Sequence, residues 1–357
     1  MLRTPLHNVL AAAGARMGEY RGAETALSFG DAASEYAALR QRAGIFDLGW
    51  RSKLRVSGPD RVRWMNGMVT NNIADLPLDR GAYCFLLNVQ GHILGDMYVY
   101  HRGEYLLVDT DAWQSDGLRG NLEKFIIMDD VEIASFDDQL TAIGVQGPQT
   151  ENILKKCDMA VEDMAPLSVK QLSASHAGGG AHATRVLALV RADIPNRVEL
   201  WIAPSDAAAT WQALVAAGAE PAGVEALELD RIARGEPRYG QDIRERELPQ
   251  ETGQQRALHF QKGCYIGQEI VERIRSRGAV HRQFSGFIFG EFLPAPGAKI
   301  EAAGKEVGEI TSAAALPSNN GGRRIGLGYI RQEGAHGAPL TIAGAPARLA
   351  TLPFENL

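Results

Sequence analysis

Lys262-Gly263-Cys264-Tyr265-Ile266-Gly267-Gln268-Glu269 packs a cation, two glycines, a thiol, an aromatic ring, an amide and a carboxylate into eight residues. The glycines at 263 and 267 predict a turn with unusual backbone angles or a close approach of backbone. Just downstream, Ile270, Val271 and Ile274 recur at helical spacing among Glu272, Arg273, Arg275 and Arg277, with Gly278 as a stop. The octapeptide is therefore expected on a loop running into a short amphipathic helix, with Cys264 at one edge of a core. Two readings of Cys264 stand side by side. One is a small thiol buried in a structural turn, the usual state of free cysteine; the other is a functional thiol.

The totals narrow the classes. At 357 residues the chain is longer than one core usually serves, so two or three domains are expected. A hydrophobic content of 45% with 22% charged residues is that of an ordinary globular protein. The net charge of −6 and the lack of a long basic block argue against nucleic acid as a main partner. No apolar run reaches membrane-spanning length, and Met1 to His7 lacks a secretory pattern, so no membrane partner and a cytoplasmic location are expected. Cys84, Cys157 and Cys264 stand far apart, forming neither CxxC pairs nor a disulfide framework. Three separated cysteines also fall short of the set that normally holds an iron–sulfur cluster.

The octapeptide resembles the KGCYxGQE signature of the YgfZ family, folate-binding relatives of the glycine-cleavage T-protein that support iron–sulfur proteins. Similarity to T-proteins runs along nearly the whole chain: Ala43 to Leu48, Gly58-Pro59-Asp60, the Gly147-Pro148 turn, Tyr239-Gly240-Gln241-Asp242-Ile243, and Gly308 to Ser312 with Gly326 to Ile330. The resemblance implies an α+β, T-protein-like fold of several subdomains around a central folate pocket. Residues 1–280 would form the folate-binding region and 281–357 a small C-terminal β-barrel. Short strands between Gly- and Pro-containing turns after Gln283 independently suggest that barrel.

Elements read from local pattern are a helical stretch over residues 9–43 and a strand from Ala43 to Leu48 that continues as Lys53 to Ser57. Asp60 is placed to cap the next helix. Gly81 to Asn88 and Ile93 to Tyr100, joined at Val89-Gln90-Gly91-His92, form a β-hairpin pattern. His176 and His182 flank a glycine run read as a surface loop, since nothing nearby completes a metal ligand set; no metal is expected. Arg256, Lys262, Arg273, Arg275 and Arg277 face only Glu269 and Glu272, a solvated face or a site for an anion or an acidic partner.

The resemblance also assigns residues. Cys264 and Asp96 would be the chemical pair, and Tyr83, Asp96, Asp109, Glu199 and Arg231 would contact tetrahydrofolate or a one-carbon derivative. Glu199, in Val198-Glu199-Leu200-Trp201, takes the place of a glutamate that grips the pteridine ring, and a carboxylate suits that task because it accepts two parallel hydrogen bonds. A strand-edge acid facing solvent is the alternative. Two departures bear on activity: the T-protein Asp-Asp pair reads Gly95-Asp96, and a family glutamate is Ala233. Three function classes stay open: a folate-binding accessory protein for iron–sulfur proteins or their assembly factors, an aminomethyltransferase, and a folate-binding module without chemistry.

Overall fold

A computed structural model describes residues 2–172, 186–278, 280–317, 322–332 and 339–354. The chain forms two compact units. The first comprises residues 1–67, 72–84 and 97–227, and the second 68–71, 85–96 and 228–357.

The chain opens with β1 (Leu2–Arg3), α1 (His7–Ala12), β2 (Arg16–Tyr20) and β3 (Ala23–Ser28), then α2 (Ala32–Gln41). The helix expected over 9–43 is thus interrupted by a hairpin. Arg21 and Gly22 both have positive φ, 54° and 86°, the two-residue turn geometry that matches the twist of paired strands. Pairing of β2 with β3 overrides the alanine-rich helix propensity around it. Asp31 caps α2, its carboxylate accepting from the Ala33 and Ser34 amides.

Next come β4 (Gly44–Asp47), β5 (Arg51–Ser57), α3 (Arg61–Met68), β6 (Gly81–Leu87), β7 (Ile93–His101), β8 (Leu106–Asp111) and α4 (Ala112–Glu123). The strand expected to run on from 43 to 57 is two strands in different sheets, broken by a turn in which Arg51 N donates to Leu48 O at 2.9 Å. The Asp60 carboxylate accepts from the Asp130 amide at 3.0 Å and pairs with Arg63 at 3.0 Å rather than serving α3. The expected hairpin is β6–β7, closed by Asn88, whose side chain accepts from the Gln90 and His92 amides.

β9 (Glu132–Ser135), β10 (Thr141–Gln146), α5 (Thr150–Lys156), β11 (Val169–Gln171), β12 (Val186–Arg191), β13 (Arg197–Ile202), α6 (Ala207–Ala216), β14 (Glu220–Pro221) and α7 (Val224–Arg234) follow. His176 and His182 lie outside the described residues. After α8 (Gln268–Arg277) come β15 (Arg282–Phe289), β16 (Lys299–Ala302), β17 (Lys305–Leu316), β18 (Arg323–Arg331), β19 (Leu340–Ile342) and β20 (Ala345–Ala350).

Two sheets position the first unit's site. The six-stranded sheet runs β11-β12-β13-β10-β4-β14 and the five-stranded one β6-β7-β8-β5-β9. One face of the former is core: Ile45, Ile143, Val145, Leu189, Val198, Leu200 and Ile202 pack with Trp211 and Leu214 of α6. Each such buried aliphatic side chain contributes about 1.5–3 kcal/mol. In the second unit β15-β18-β17-β16-β19-β20 close a barrel around Phe287, Ile300, Ile310 and Ile342. This mixed architecture with a six-stranded C-terminal barrel is the expected T-protein-like fold. Among the described residues, no helix is long and apolar enough to cross a membrane.

Candidate functional site

In the first unit, Glu199 sits mid-strand on β13, opposite Gly144 on β10 and Val190 on β12. Strand alternation sends Val198, Leu200 and Ile202 into the core, so Arg197, Glu199 and Trp201 share the other face. Gly144 is bare because the Phe46 ring lies over it; a Cβ there would stand 2.1 Å from that ring.

The five-stranded sheet carries a second set of charged and aromatic groups. Lys53 on β5 lies opposite Asp109 on β8, and Arg51 opposite Asp111. Lys53 Nζ is 3.0 Å from the Asp109 carboxylate, with side chains 0% and 2% exposed. Arg51 donates to Asp109 at 2.8 Å and pairs with Asp111 at 3.1 Å, while Arg21 donates to Asp111 at 2.7 Å. Buried charges persist only when paired in this way. The Arg51 guanidinium also lies 5.7 Å from the Tyr98 ring centroid. Tyr98 is 5.0 Å from Tyr83 and 6.4 Å from Tyr100, and Tyr100 meets Trp201 edge-on at 5.0 Å.

Glu199 stands apart in this company. Burial raises its carboxyl above the ordinary carboxylate range and the charge of Asp109 raises it further, against the pull of Arg51, Lys53 and Arg197. No described residue donates a hydrogen bond to it. The Tyr100 hydroxyl is held well above its ordinary value by burial, then by Glu199 and Asp109, and so remains a protonated donor. A desolvated acceptor without donors, among tyrosine rings, is chemically suited to a flat ligand that brings N–H groups of its own.

In the second unit, the Lys262–Glu269 loop is held from several directions. Lys262 Nζ donates to Val69 O at 2.6 Å and Asn71 O at 2.7 Å, and lies 4.9 Å from the Tyr265 ring centroid. Tyr265 is buried, and burial followed by Glu272 pushes its hydroxyl up to about 12. Gly267 has φ +80°, and a Cβ there would lie 2.5 Å from Asn88 O; the β6–β7 turn approaches too closely for any side chain. From this support the chain enters α8, as expected, with Gly278 at its C-cap. Cys264 is exposed on the loop, whereas Cys84 is buried. The reading of Cys264 as a buried thiol is thereby corrected: Tyr265 and Val271, not the cysteine, supply the apolar anchors.

Arg231 and Asp96 also lie in the second unit. The Arg231 guanidinium donates to Glu228, to Asp242 at 2.7 Å and to Ser312 Oγ at 2.8 Å, and Glu236 O accepts as well. Asp96 is half-buried on β7. With burial and Glu245, its charge raises the Tyr239 hydroxyl, which donates to Leu94 O at 2.7 Å.

Of the sequence-assigned residues, Tyr83, Asp109 and Glu199 belong to one polar and aromatic cluster. Arg51, Lys53, Tyr98, Tyr100 and Trp201 join them and were not singled out from sequence. The available signal was alternation: 51 and 53, and 98 and 100, share a face in any strand reading. Among the described residues, no group of three or more His, Cys, Asp or Glu side chains is placed to hold a metal.

The family described as the GCVT N-terminal domain matches residues 6–262, and that described as the CAF17 C-terminal beta-barrel domain matches residues 279–354. Similar curated proteins include the aminomethyltransferase of Rubrobacter xylanophilus, 29% identical over 356 residues covering 99% of this chain and 94% of the relative. The aminomethyltransferase of Streptomyces coelicolor is 30% identical over 372 residues, covering 99% and 97%. Among solved structures, the glycine cleavage system aminomethyltransferase T from Bartonella henselae superposes with a TM-score of 0.87 at 20% identity, covering 99% of this chain and 97% of that one. The chain belongs to the GCVT N-terminal domain family, with a CAF17-type β-barrel domain at its C-terminal end.

Proposed function

We propose that this protein binds tetrahydrofolate, or a one-carbon derivative of it, and acts as an accessory protein for iron–sulfur proteins, with Cys264 as its functional thiol. The observation that carries the folate part is Glu199, a half-buried carboxylate with no hydrogen-bond donor among the described residues, next to Tyr100 and its neighbours Tyr98 and Tyr83. A pteridine fits that environment: its ring N–H and adjacent amino group supply two parallel donors, and its flat faces suit aromatic walls. Arg51 and Lys53 hold Asp109, Arg51 and Arg21 hold Asp111, and the Tyr98 hydroxyl donates to Asp193. Glu199 has no donor among the described residues, which favours it as the ligand's carboxylate. When bound, the folate supplies a carrier for one-carbon groups.

The accessory role rests on the octapeptide. Its cysteine is exposed while Lys262, Tyr265 and Gly267 anchor the loop, an arrangement that presents a thiol to a partner without loosening the fold. The clients are iron–sulfur proteins or their assembly factors, met in the cytoplasm. Aminomethyl transfer is the second reading, favoured by the names of the curated relatives. Gly95-Asp96, with one acid where T-proteins have two, weighs against it.

The test is a titration of wild type, Glu199→Ala and Cys264→Ala with tetrahydrofolate. Binding lost in Glu199→Ala and kept in Cys264→Ala supports the proposal. No binding by wild type overturns the folate assignment. A turnover assay for aminomethyl transfer decides between the two readings, and catalysis independent of Cys264 favours the second.

A further inference from the structure

The barrel carries a cavity of about 150 Å³ whose walls include Arg246, Arg282, Lys299, Arg331, Glu309 and Tyr329. Most of these charges are matched. Arg282 pairs with Glu251 at 3.1 Å and Glu247 at 3.4 Å, and Glu309 is gripped by Arg244 and Arg246 and lies 3.6 Å from Lys299. Two groups are not. Arg331 has no ion-pair partner among the described residues, and the β15–β18 register sets it directly opposite Arg282. Like charges across a strand pair are destabilising unless something negative lies between them. The Tyr329 hydroxyl is buried and has no hydrogen-bond partner among the described residues. Buried hydroxyls are seldom left that way, and an oxyanion in the cavity would accept from this one.

We propose that this cavity binds a small oxyanion, a phosphate or carboxylate group, between Arg282 and Arg331 with the Tyr329 hydroxyl as a further donor. Two acids share the wall: Glu309, opposite Tyr329 and held by Arg244, Arg246 and Lys299, and Glu306, paired with Lys299 at 3.0 Å. Glu247, Glu251 and Asp242, whose charges also reach Tyr329, are paired with Arg244, Arg282 and Arg231. The site lies wholly within the second unit and stands independently of the folate reading.

Calorimetric titration of the full chain with inorganic phosphate, and separately with glutarate, at constant ionic strength in KCl tests this. Saturable one-site binding is expected for at least one probe, and the tighter probe identifies the source of the oxyanion. Arg331→Gln and Tyr329→Phe are each expected to weaken it about tenfold or more, the loss of one hydrogen bond to a charged group. Arg331 is exposed, so Arg331→Gln folds whatever Tyr329→Phe does, and its melting temperature without anion is expected to hold or rise. Absence of saturable binding for both probes overturns the proposal, as does unchanged affinity in Arg331→Gln.

Discussion

Replacing Glu199 by glutamine is expected to stabilise the ligand-free protein while weakening its hold on folate. In the fold, burial first and Asp109 second disfavour the ionised carboxylate more than Arg51, Lys53 and Arg197 favour it. An unsatisfied polar group taken out of water costs about 1–3 kcal/mol, more when charged, and removing the charge from half-buried Glu199 recovers part of that. For a unit of roughly two hundred residues, about 1–2 kcal/mol corresponds to a melting temperature raised by some 2–8 °C. The sign of the pH dependence follows. Because the folded pKa lies above the unfolded value of 4.5, the penalty is absent below 4.5, where both states are protonated. It grows as pH rises from there to the folded value. The gain in Glu199→Gln is therefore expected at pH 7 and absent near pH 4. Against tetrahydrofolate the same variant keeps one acceptor but loses charge assistance, weakening binding about tenfold to a hundredfold. Thermal melts at both pH values, with calorimetric titration at pH 7, check this. A melting temperature lowered at pH 7, or an affinity equal to wild type, refutes the reasoning.

Lys262→Met removes the donor that Val69 O and Asn71 O share and leaves both carbonyls to find other partners, so urea denaturation should report a loss of about 2 kcal/mol. Glu228 is the opposite case from Glu199: burial alone would raise it, yet Arg231 and Arg238 bring it down to about 2 from 4.5. Its stabilisation, about 3 kcal/mol, is present above pH 4.5 and lost as pH falls toward 2. Glu228→Gln should therefore destabilise the protein at pH 7 and make little difference near pH 2, measured as urea midpoints across that range.

Elements whose signals are local were legible in the residues. The β6–β7 hairpin, α8 with its Gly278 stop and most barrel strands are written in short runs bounded by turn residues. The hairpin of β2 and β3 was not, because alanine-rich flanks favour helix until strand pairing decides otherwise. Nor was the break between β4 and β5, since a strand's sheet partner is chosen by residues far along the chain.

The candidate site divides in the same way. The octapeptide announced Cys264 and Gly267 because their chemistry and backbone freedom are properties of single residues at fixed spacing. Glu199 could be suspected from its apolar strand, but two outcomes were equally consistent with it, a ligand-facing carboxylate and an acid turned to solvent. Tertiary packing leaves Glu199 half-buried and sends the neighbouring cations to other acids: Arg51 and Lys53 go to Asp109, and Arg51 also to Asp111. Likewise the opposition of Arg282 and Arg331 arises only from strand register. By itself the sequence determined the family resemblance, the fold class and the elements with local signals, and it nominated candidate residues. Which charges are compensated and which are left over was decided by the tertiary structure, because compensation depends on distances of a few ångströms between residues far apart in the chain.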